Sequence, residues 1–197
     1  AQATALRQRF QPLRRVVRTD FFEWSGAVAN AAPARLKIDE SGHVFECVDP
    51  YGFPPRPLEQ ALYLFAEGSN YQAYRLLGAQ SETRDGTAGV TFRLWAPNAG
   101  RVSLVGEFNR WDGRTHPLCS LGASGAWELF MPGLADGALY KFEIRNRNSG
   151  AVLTKTDPYA RCYEKRPATA ARVTADSTYA WNDAEWLVRR AQWDWQH

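Results

Sequence analysis

The sequence predicts an all-β protein in which short antiparallel strands form two β-sandwiches in tandem. The first observation is a period-two alternation of apolar residues between Val90 and Phe142, which is typical of strands with one buried face. The second is the regular spacing of Asp-Gly, Asn-Ala-Gly and Asn-Ser-Gly turn signals between these runs, and short strands so spaced indicate a sandwich. The third is an Asp-Pro-Tyr triplet that occurs twice.

Four strands are predicted in the first 50 residues. They cover 14–18, 21–24, 35–38 and 43–48, and a hairpin turn is predicted at Glu40-Ser41-Gly42. The first unit is therefore expected to be β as well.

A proline-rich connector follows and then becomes helical. Pro57 is suited to begin a helix and Gly68 to end it, and a second short helix is predicted over 71–77. The helical spacing is carried by Leu58, Ala61, Leu62 and Phe65. The strands predicted after the connector cover 90–95, 102–107, 126–131 and 139–145.

The Asp-Pro-Tyr triplet stands at 49–51 and 157–159, and Leu36-Lys-Ile before the first copy resembles Tyr140-Lys-Phe before the second. We interpret this as two related sandwiches. Because the copies lie 108 residues apart, the first sandwich is expected to be truncated and the chain to continue on both sides. The predicted division is 1–56 for the end of a first sandwich, 57–80 for the helical connector, 81–175 for the second sandwich and 176–197 for a linker.

Composition excludes several classes of protein. With 197 residues the chain is too short for a complete (β/α)₈ barrel, which needs about 250, and no apolar run approaches the roughly 20 residues of a membrane helix. Its 24 basic residues are interspersed with 21 acidic ones, which argues against nucleic-acid binding. The spacing of Cys47, Cys119 and Cys162 fits neither a disulfide framework nor a metal site, which favours the cytoplasm.

The most specific functional signal is a loop that carries Asn109 and Trp111 after a predicted strand. The apolar face of a sugar ring can lie on an indole, while an amide can hydrogen-bond the sugar hydroxyls. Alternation places Tyr140 and Phe142 on the core face of a later strand and Lys141 on the opposite face, where its ammonium can donate to hydroxyls. The predicted carbohydrate platform is Trp111, Lys141 and Asn109. The alternative is that Trp111 packs on its own loop or on another domain.

No catalytic set is visible in the sequence. The three histidines are isolated, and neither a nucleophile elbow nor a phosphate-binding loop is present. Asp183, Glu185 and Asp194 cluster near the C-terminus, but their aromatic and basic neighbours favour a linker or docking segment over a glycosidase pair. Packing explains Trp95 and Trp127, which lie within predicted strands, without any ligand.

Seven segments together resemble bacterial glycogen branching enzymes. They are LYLFAEG at 62–68, YRLLGA at 74–79, FRLWAPNA at 92–99, VGEFNRWDG at 105–113, WELF at 127–130, LYKFE at 139–143 and DPYA at 157–160. The resemblance implies that the second sandwich is immunoglobulin-like, of the carbohydrate-binding module family 48 type. It also implies an α-amylase-family catalytic barrel beyond His197, outside this sequence.

For the whole enzyme, the resemblance implies cleavage of an α-1,4-glucan and transfer of the freed segment to a 6-hydroxyl, without metal or organic cofactor. For this chain it implies a non-catalytic region that positions the barrel and holds α-1,4-glucan or glycogen weakly. Related modules use a loop tryptophan and a strand lysine, corresponding to Trp111 and Lys141, and a second tryptophan on the next hairpin. Here that hairpin reads RNRNSG at 145–150. Gln80 also departs from the family pattern, which usually has histidine there.

Two other functions remain open at this stage. One is a purely structural docking domain that binds no sugar. The other is the N-terminal part of a debranching or trehalose-forming hydrolase, since these enzymes also carry a family 48 sandwich. The LYLFAEG segment and the tandem sandwiches favour the branching enzyme.

Overall fold

The computed structural model describes residues 12–18, 22–23, 33–40, 43–175 and 179–193. These residues form antiparallel strands and three short helices, which confirms the all-β prediction. The strands are β1 Arg14–Arg15, β2 Phe22–Glu23, β3 Arg35–Glu40, β4 His43–Val48, β5 Gly78–Arg84, β6 Thr87–Trp95, β7 Ala99–Gly106, β8 Cys119–Ser120, β9 Ala126–Pro132, β10 Leu139–Asn146, β11 Val152–Lys155, β12 Cys162–Tyr163 and β13 Ala171–Arg172. The helices are α1 Glu59–Ala66, α2 Ala73–Leu76 and α3 Ala184–Ala191.

The first unit contains the four predicted strands, although β1 and β2 have only two residues each. β1 pairs with β2, and β3 pairs with β4 in a hairpin that sets Glu40 opposite His43. The predicted turn residues Ser41 and Gly42 lie outside the described residues. That these strands belong to a truncated sandwich stays a prediction.

The connector contains both predicted helices in shortened form. Gly68 adopts φ +79° and its N–H bonds to the Phe65 carbonyl at 3.1 Å, which ends α1 where the sequence indicates. Helix α2 is a single turn. Gln80 donates to the carbonyls of Tyr74 and Leu77, both at 2.9 Å, and so fixes the end of α2.

Strand β5 is an element that the sequence analysis missed. Its residues, GAQSETR, show no apolar alternation, so only the pairing with β6 reveals it. The two strands are joined by Asp85 and Gly86, whose φ values of +46° and +76° are those of a tight two-residue hairpin. The expected limit between connector and sandwich, at 80/81, falls inside this strand.

The second unit is a sandwich of two antiparallel sheets. One sheet has the order β5-β6-β9-β8, and the other contains β7, β10, β11, β13 and β12, with β10 at its centre. An edge-to-face contact of Phe92 on β6 with Tyr140 on β10, at 4.8 Å, joins the sheets, and Tyr140 in turn contacts Phe142 of its own strand at 5.8 Å. The core residues contributed by the strands include Val90, Phe92, Leu94, Val102, Leu104, Leu129, Met131, Tyr140 and Phe142, which confirms the predicted core faces.

The apolar alternation predicted that each strand has one buried side and one side exposed to solvent. In the structure, other segments also cover the outer faces of both sheets. On the β5-β6-β9-β8 sheet, Thr91 and Arg93 are buried although they point away from the core. The connector covers them, since Phe53 packs edge-on against Phe130 with ring centroids 4.7 Å apart. We call this surface the connector face; its residues are Glu82, Arg84, Thr91, Arg93, Glu128 and Phe130.

A chain of ionic contacts crosses the connector face. Glu128, 1% exposed, accepts hydrogen bonds from Arg84 at 2.8 Å and from Arg93 at 2.6 Å. Arg84 also pairs with Glu82 at 2.7 Å, and Glu82 with Arg56 of the connector at 3.0 Å. The charges are thus paired where they are buried, as their desolvation requires.

Three further properties bear on the class of protein. Cys47, Cys119 and Cys162 are free thiols of intermediate exposure. None of the described helices is long and apolar enough to cross a membrane. Helix α3, in a segment predicted as linker, exposes Trp186, with Arg190 stacked over its ring at 4.9 Å.

Candidate carbohydrate-binding site

The loop that follows β7 presents Trp111 on a strained backbone. After a 3₁₀ turn over Glu107–Asn109, both Arg110 and Trp111 adopt left-handed conformations, with φ +53° and +62°. Such angles are costly for residues other than glycine and persist only when the surroundings hold them. Here the Trp111 N–H bonds to the Gly106 carbonyl at 2.8 Å, and its side chain remains 41% exposed.

The side chain of Asn109 is engaged inside the loop. Its Oδ1 accepts from the Gly106 N–H at 2.9 Å, while Nδ2 donates to the Leu104 carbonyl at 2.9 Å. Nδ2 also lies 3.2 Å from the Asp112 carbonyl and 3.0 Å from Nδ1 of His116. The amide therefore ties the start of the loop to its end, in the position where the sequence analysis expected a contact with sugar.

His116 is a part of this loop that sequence reasoning missed. Its imidazole is partly buried against the Phe108 ring, and burial lowers the pKa of His116 because it disfavours the charged form. Nδ1 of the ring lies 3.0 Å from Nδ2 of Asn109 and 2.9 Å from Oγ1 of Thr115. In the sequence, only the spacing Asn-x-Trp-x₄-His could have indicated that His116 belongs to the same loop as Asn109 and Trp111.

The middle of the loop is held by Asp112. Its carboxylate accepts from the Arg114 side chain at 2.6 Å and from the Arg114 backbone N–H at 2.9 Å, and these bonds lower the pKa of Asp112 to about 2. The loop is therefore closed by a charged contact at its surface and by the Asn109–His116 contact beneath.

Lys141 lies on β10, on the face opposite Tyr140 and Phe142, as the alternation predicted. It is partly exposed and sits opposite Val105, one residue before the Gly106 that anchors Trp111. Its Nζ donates to Oγ1 of Thr169 at 2.7 Å. The structure thus places Lys141 beside the start of the Trp111 loop. It also places the exposed hydroxyl of Thr169 next to Lys141, a neighbour that the sequence analysis did not predict.

The rest of this surface combines charge with close packing. Glu143 pairs with Arg101 at 2.7 Å, and its carboxylate lies directly against Gly113 of the loop, where a Cβ would stand 2.2 Å from Oε1. We call this surface the loop face; it consists of Arg101, Ser103, Val105, Lys141 and Glu143 under the loop 107–116. The hairpin over 145–150 offers polar side chains, so Trp111 is the aromatic platform of the loop face.

The other candidates are placed elsewhere. Trp127 is 9% exposed and donates to the Ala96 carbonyl at 3.1 Å, so it belongs to the core. Trp95 is 49% exposed but packs on Phe65, with its N–H bonded to the Ser124 carbonyl at 3.2 Å. Asp183 and Glu185 stand at the start of α3, and Asp194 lies outside the described residues. Among the described residues, no group of three or more histidine, cysteine or acidic side chains is placed to hold a metal ion.

A β-sandwich that carries an exposed tryptophan loop beside a strand lysine has the features of a non-catalytic carbohydrate-binding module. The family model described as carbohydrate-binding module 48 (isoamylase N-terminal domain) matches residues 76–160. Over most of its length the chain is also similar to bacterial 1,4-alpha-glucan branching enzymes, which confirms the resemblance found in the sequence.

Two relatives show the extent of the similarity. The 1,4-alpha-glucan branching enzyme GlgB of Nitrosospira multiformis is 52% identical over 191 residues, which cover 94% of this chain and 26% of that protein. GlgB of Methylococcus capsulatus is 55% identical over 159 residues, covering 81% and 22%. The chain therefore spans about a quarter of the length of these relatives. Among solved structures, a Klebsiella pneumoniae pullulanase complexed with maltotriose is 29% identical with a TM-score of 0.40, covering 52% of this chain and 10% of that one.

Proposed function

We propose that this chain is the non-catalytic part of a branching enzyme that holds α-1,4-glucan weakly on the loop face. The relatives are named 1,4-alpha-glucan branching enzymes. In our proposal the whole protein would cut an α-1,4-glucan segment, transfer it to a 6-hydroxyl and act in the cytoplasm. The observation that supports glucan binding is Trp111, an exposed indole whose strained backbone is held in place by the loop beneath it.

In this proposal, three residues have separate roles. Trp111 provides the flat apolar surface for one face of a glucose ring. Lys141, with Thr169, donates hydrogen bonds to hydroxyls at the edge of that surface. Asn109 shapes the loop, because its amide is already bonded to Gly106 and His116. One indole without a second aromatic partner predicts weak binding.

The test is a titration of the chain with β-cyclodextrin or a maltooligosaccharide, followed by NMR. We expect saturable binding that Trp111→Ala weakens by about tenfold or more, since the loss of an aromatic contact of this size costs roughly 1–2 kcal/mol. Trp181→Ala is the matched control, because Trp181 is 79% exposed but lies outside the sandwich. Equal binding by wild type and Trp111→Ala would contradict the proposed site.

The second candidate is a docking domain that binds no sugar and supports the catalytic barrel. It is favoured by the C-terminal segment, where Trp181, Trp186 and Trp193 are 79%, 43% and 57% exposed, a degree that suits contact with further protein. Absence of glucan binding at millimolar concentration, together with self-association that Trp186→Ala relieves, would support this function instead.

A further inference from the structure

The two Asp-Pro-Tyr turns share a hydrogen bond from the tyrosine N–H to the aspartate side chain, but their tyrosines differ in what they contact. In the first turn the Tyr51 N–H bonds to Oδ1 of Asp49 at 2.9 Å, and in the second the Tyr159 N–H bonds to Oδ1 of Asp157 at 2.8 Å. Tyr159 packs against Gly78 in the cluster under the connector. Tyr51 instead reaches the sandwich, where its hydroxyl donates to the Pro117 carbonyl at 3.0 Å.

Pro117 belongs to the segment through which the Trp111 loop returns to the sandwich. This segment lies beside β7: the Leu104 N–H bonds to the His116 carbonyl at 2.9 Å, and the Leu118 N–H to the Val102 carbonyl at 2.8 Å. Pro117 itself forms a bridge with Ser103. Because the His116 side chain contacts the Asn109 amide at 3.0 Å, the position of this segment affects the shape of the loop that presents Trp111.

Tyr51 is held from outside that loop. The Asp49 side chain caps the 3₁₀ turn Pro50–Gly52 that contains Tyr51. The next residue, Phe53, is only 5% exposed and packs edge-on against Phe130 of β9. The hydroxyl of Tyr51 is therefore fixed by the connector face, on the other sheet of the sandwich, and links that face to the loop.

We infer that Tyr51 is a positioning residue for the carbohydrate-binding loop, acting through Pro117 and His116 on Asn109 and Trp111. The inference rests on the proposed glucan-binding function. It gives the first Asp-Pro-Tyr turn a role in the site of the second unit, so that the glucan-binding surface depends on residues before the sandwich.

The test compares Tyr51→Phe with Tyr71→Phe, the same chemical change at a connector tyrosine that is 91% exposed. One measurement is the hydrogen-exchange rate of the Leu104 and Leu118 amides, which bond along β7; the other is the dissociation constant for β-cyclodextrin. We expect Tyr51→Phe to raise both by about fivefold, the factor that corresponds to one ordinary hydrogen bond. The exchange of the Phe142 amide, in the centre of the core, should stay unchanged, which shows that the fold is intact.

The two measurements separate the failure of this inference from the failure of the proposed function. Unchanged exchange at Leu104 and Leu118 in Tyr51→Phe would overturn the positioning role, and so would faster exchange with unchanged affinity for the sugar. Wild-type protein that binds no β-cyclodextrin would refute the proposed function, and the exchange rates would then still decide whether Tyr51 holds the loop.

Discussion

The two outer faces of the sandwich differ in how they are covered. The connector face is closed by the connector, and its charges are buried and paired around Glu128. The loop face is covered by the ten-residue loop 107–116. The side chains of Trp111, Lys141 and Glu143 remain partly exposed to solvent there. The comparison shows that one face joins the sandwich to the segment before it, while the other leaves three polar or aromatic side chains partly exposed to solvent.

The largest expected effect is the loss of the buried carboxylate on the connector face. Glu128→Gln keeps the shape of the side chain but leaves Arg93 and Arg84 without the charge that pairs with them. Breaking a buried ion pair in this way costs about 3–5 kcal/mol of unfolding free energy. Chemical denaturation followed by tryptophan fluorescence measures this loss.

The control for this prediction lies on the loop face. Glu143→Gln removes a carboxylate from a pair in which Arg101 is 40% exposed, so we expect a loss of less than about 1 kcal/mol. Similar losses in the two variants would show that the faces are not energetically different, contrary to the comparison.

The structure of the sandwich strands could be predicted because the sequence pattern and the packing agree. Alternation at Val90, Phe92 and Leu94 corresponds to burial in the core, and Asp85-Gly86 forms the tight turn its residue types favour. Strand β5 could not be predicted, because its sequence shows no apolar alternation and its place in the sheet follows from backbone pairing with β6.

The site was predictable to a similar extent. Residue type and alternation predicted the exposed positions of Trp111 and Lys141 on the sandwich. The use of the Asn109 amide depended on His116 and Gly106 returning to the same point of the loop, which no local pattern contains. The same holds for the outer faces of the sandwich: the connector and the loop 107–116 cover strands, such as β9 and β10, that are distant from them in the sequence.

A second expected effect concerns two glycines, one on each face. A Cβ at Gly89 would stand 2.4 Å from the Met131 carbonyl oxygen and 2.7 Å from the Phe130 ring, so that Gly89→Ala forces the backbone of two paired strands apart. We expect a loss of about 1–3 kcal/mol, as for other overpacked positions. At Gly113 the Cβ would meet only the movable end of Glu143. Gly113→Ala should therefore cost less in denaturation experiments, and a larger loss than in Gly89→Ala would contradict the comparison.

The smallest expected effect is a pH dependence that distinguishes the faces. Burial lowers the pKa of His116, so between that lowered value and about 6.5 the unfolded chain binds more protons than the folded one. The stabilising contribution of neutral His116 is therefore lost as the pH falls below about 6.5.

On the connector face, burial opposes the charge of Glu82, but hydrogen bonds from Thr91 and Arg84 outweigh it and lower the pKa of Glu82. Its contribution is lost only in stronger acid, below about 4.3.

Amide hydrogen exchange at a series of pH values tests this order. After correction for the intrinsic pH dependence of exchange, the Leu104 amide should lose protection first, because the charged imidazole has donors on both nitrogens and its Nδ1 lies 3.0 Å from Nδ2 of Asn109, which is also a donor. Amides of β5 and β6 should keep their protection through the same range. His116→Gln removes the titrating group and should abolish the early loss at Leu104. If Leu104 in the variant still loses protection at the same pH, another group causes the pH dependence. The two faces would then not differ in the way proposed.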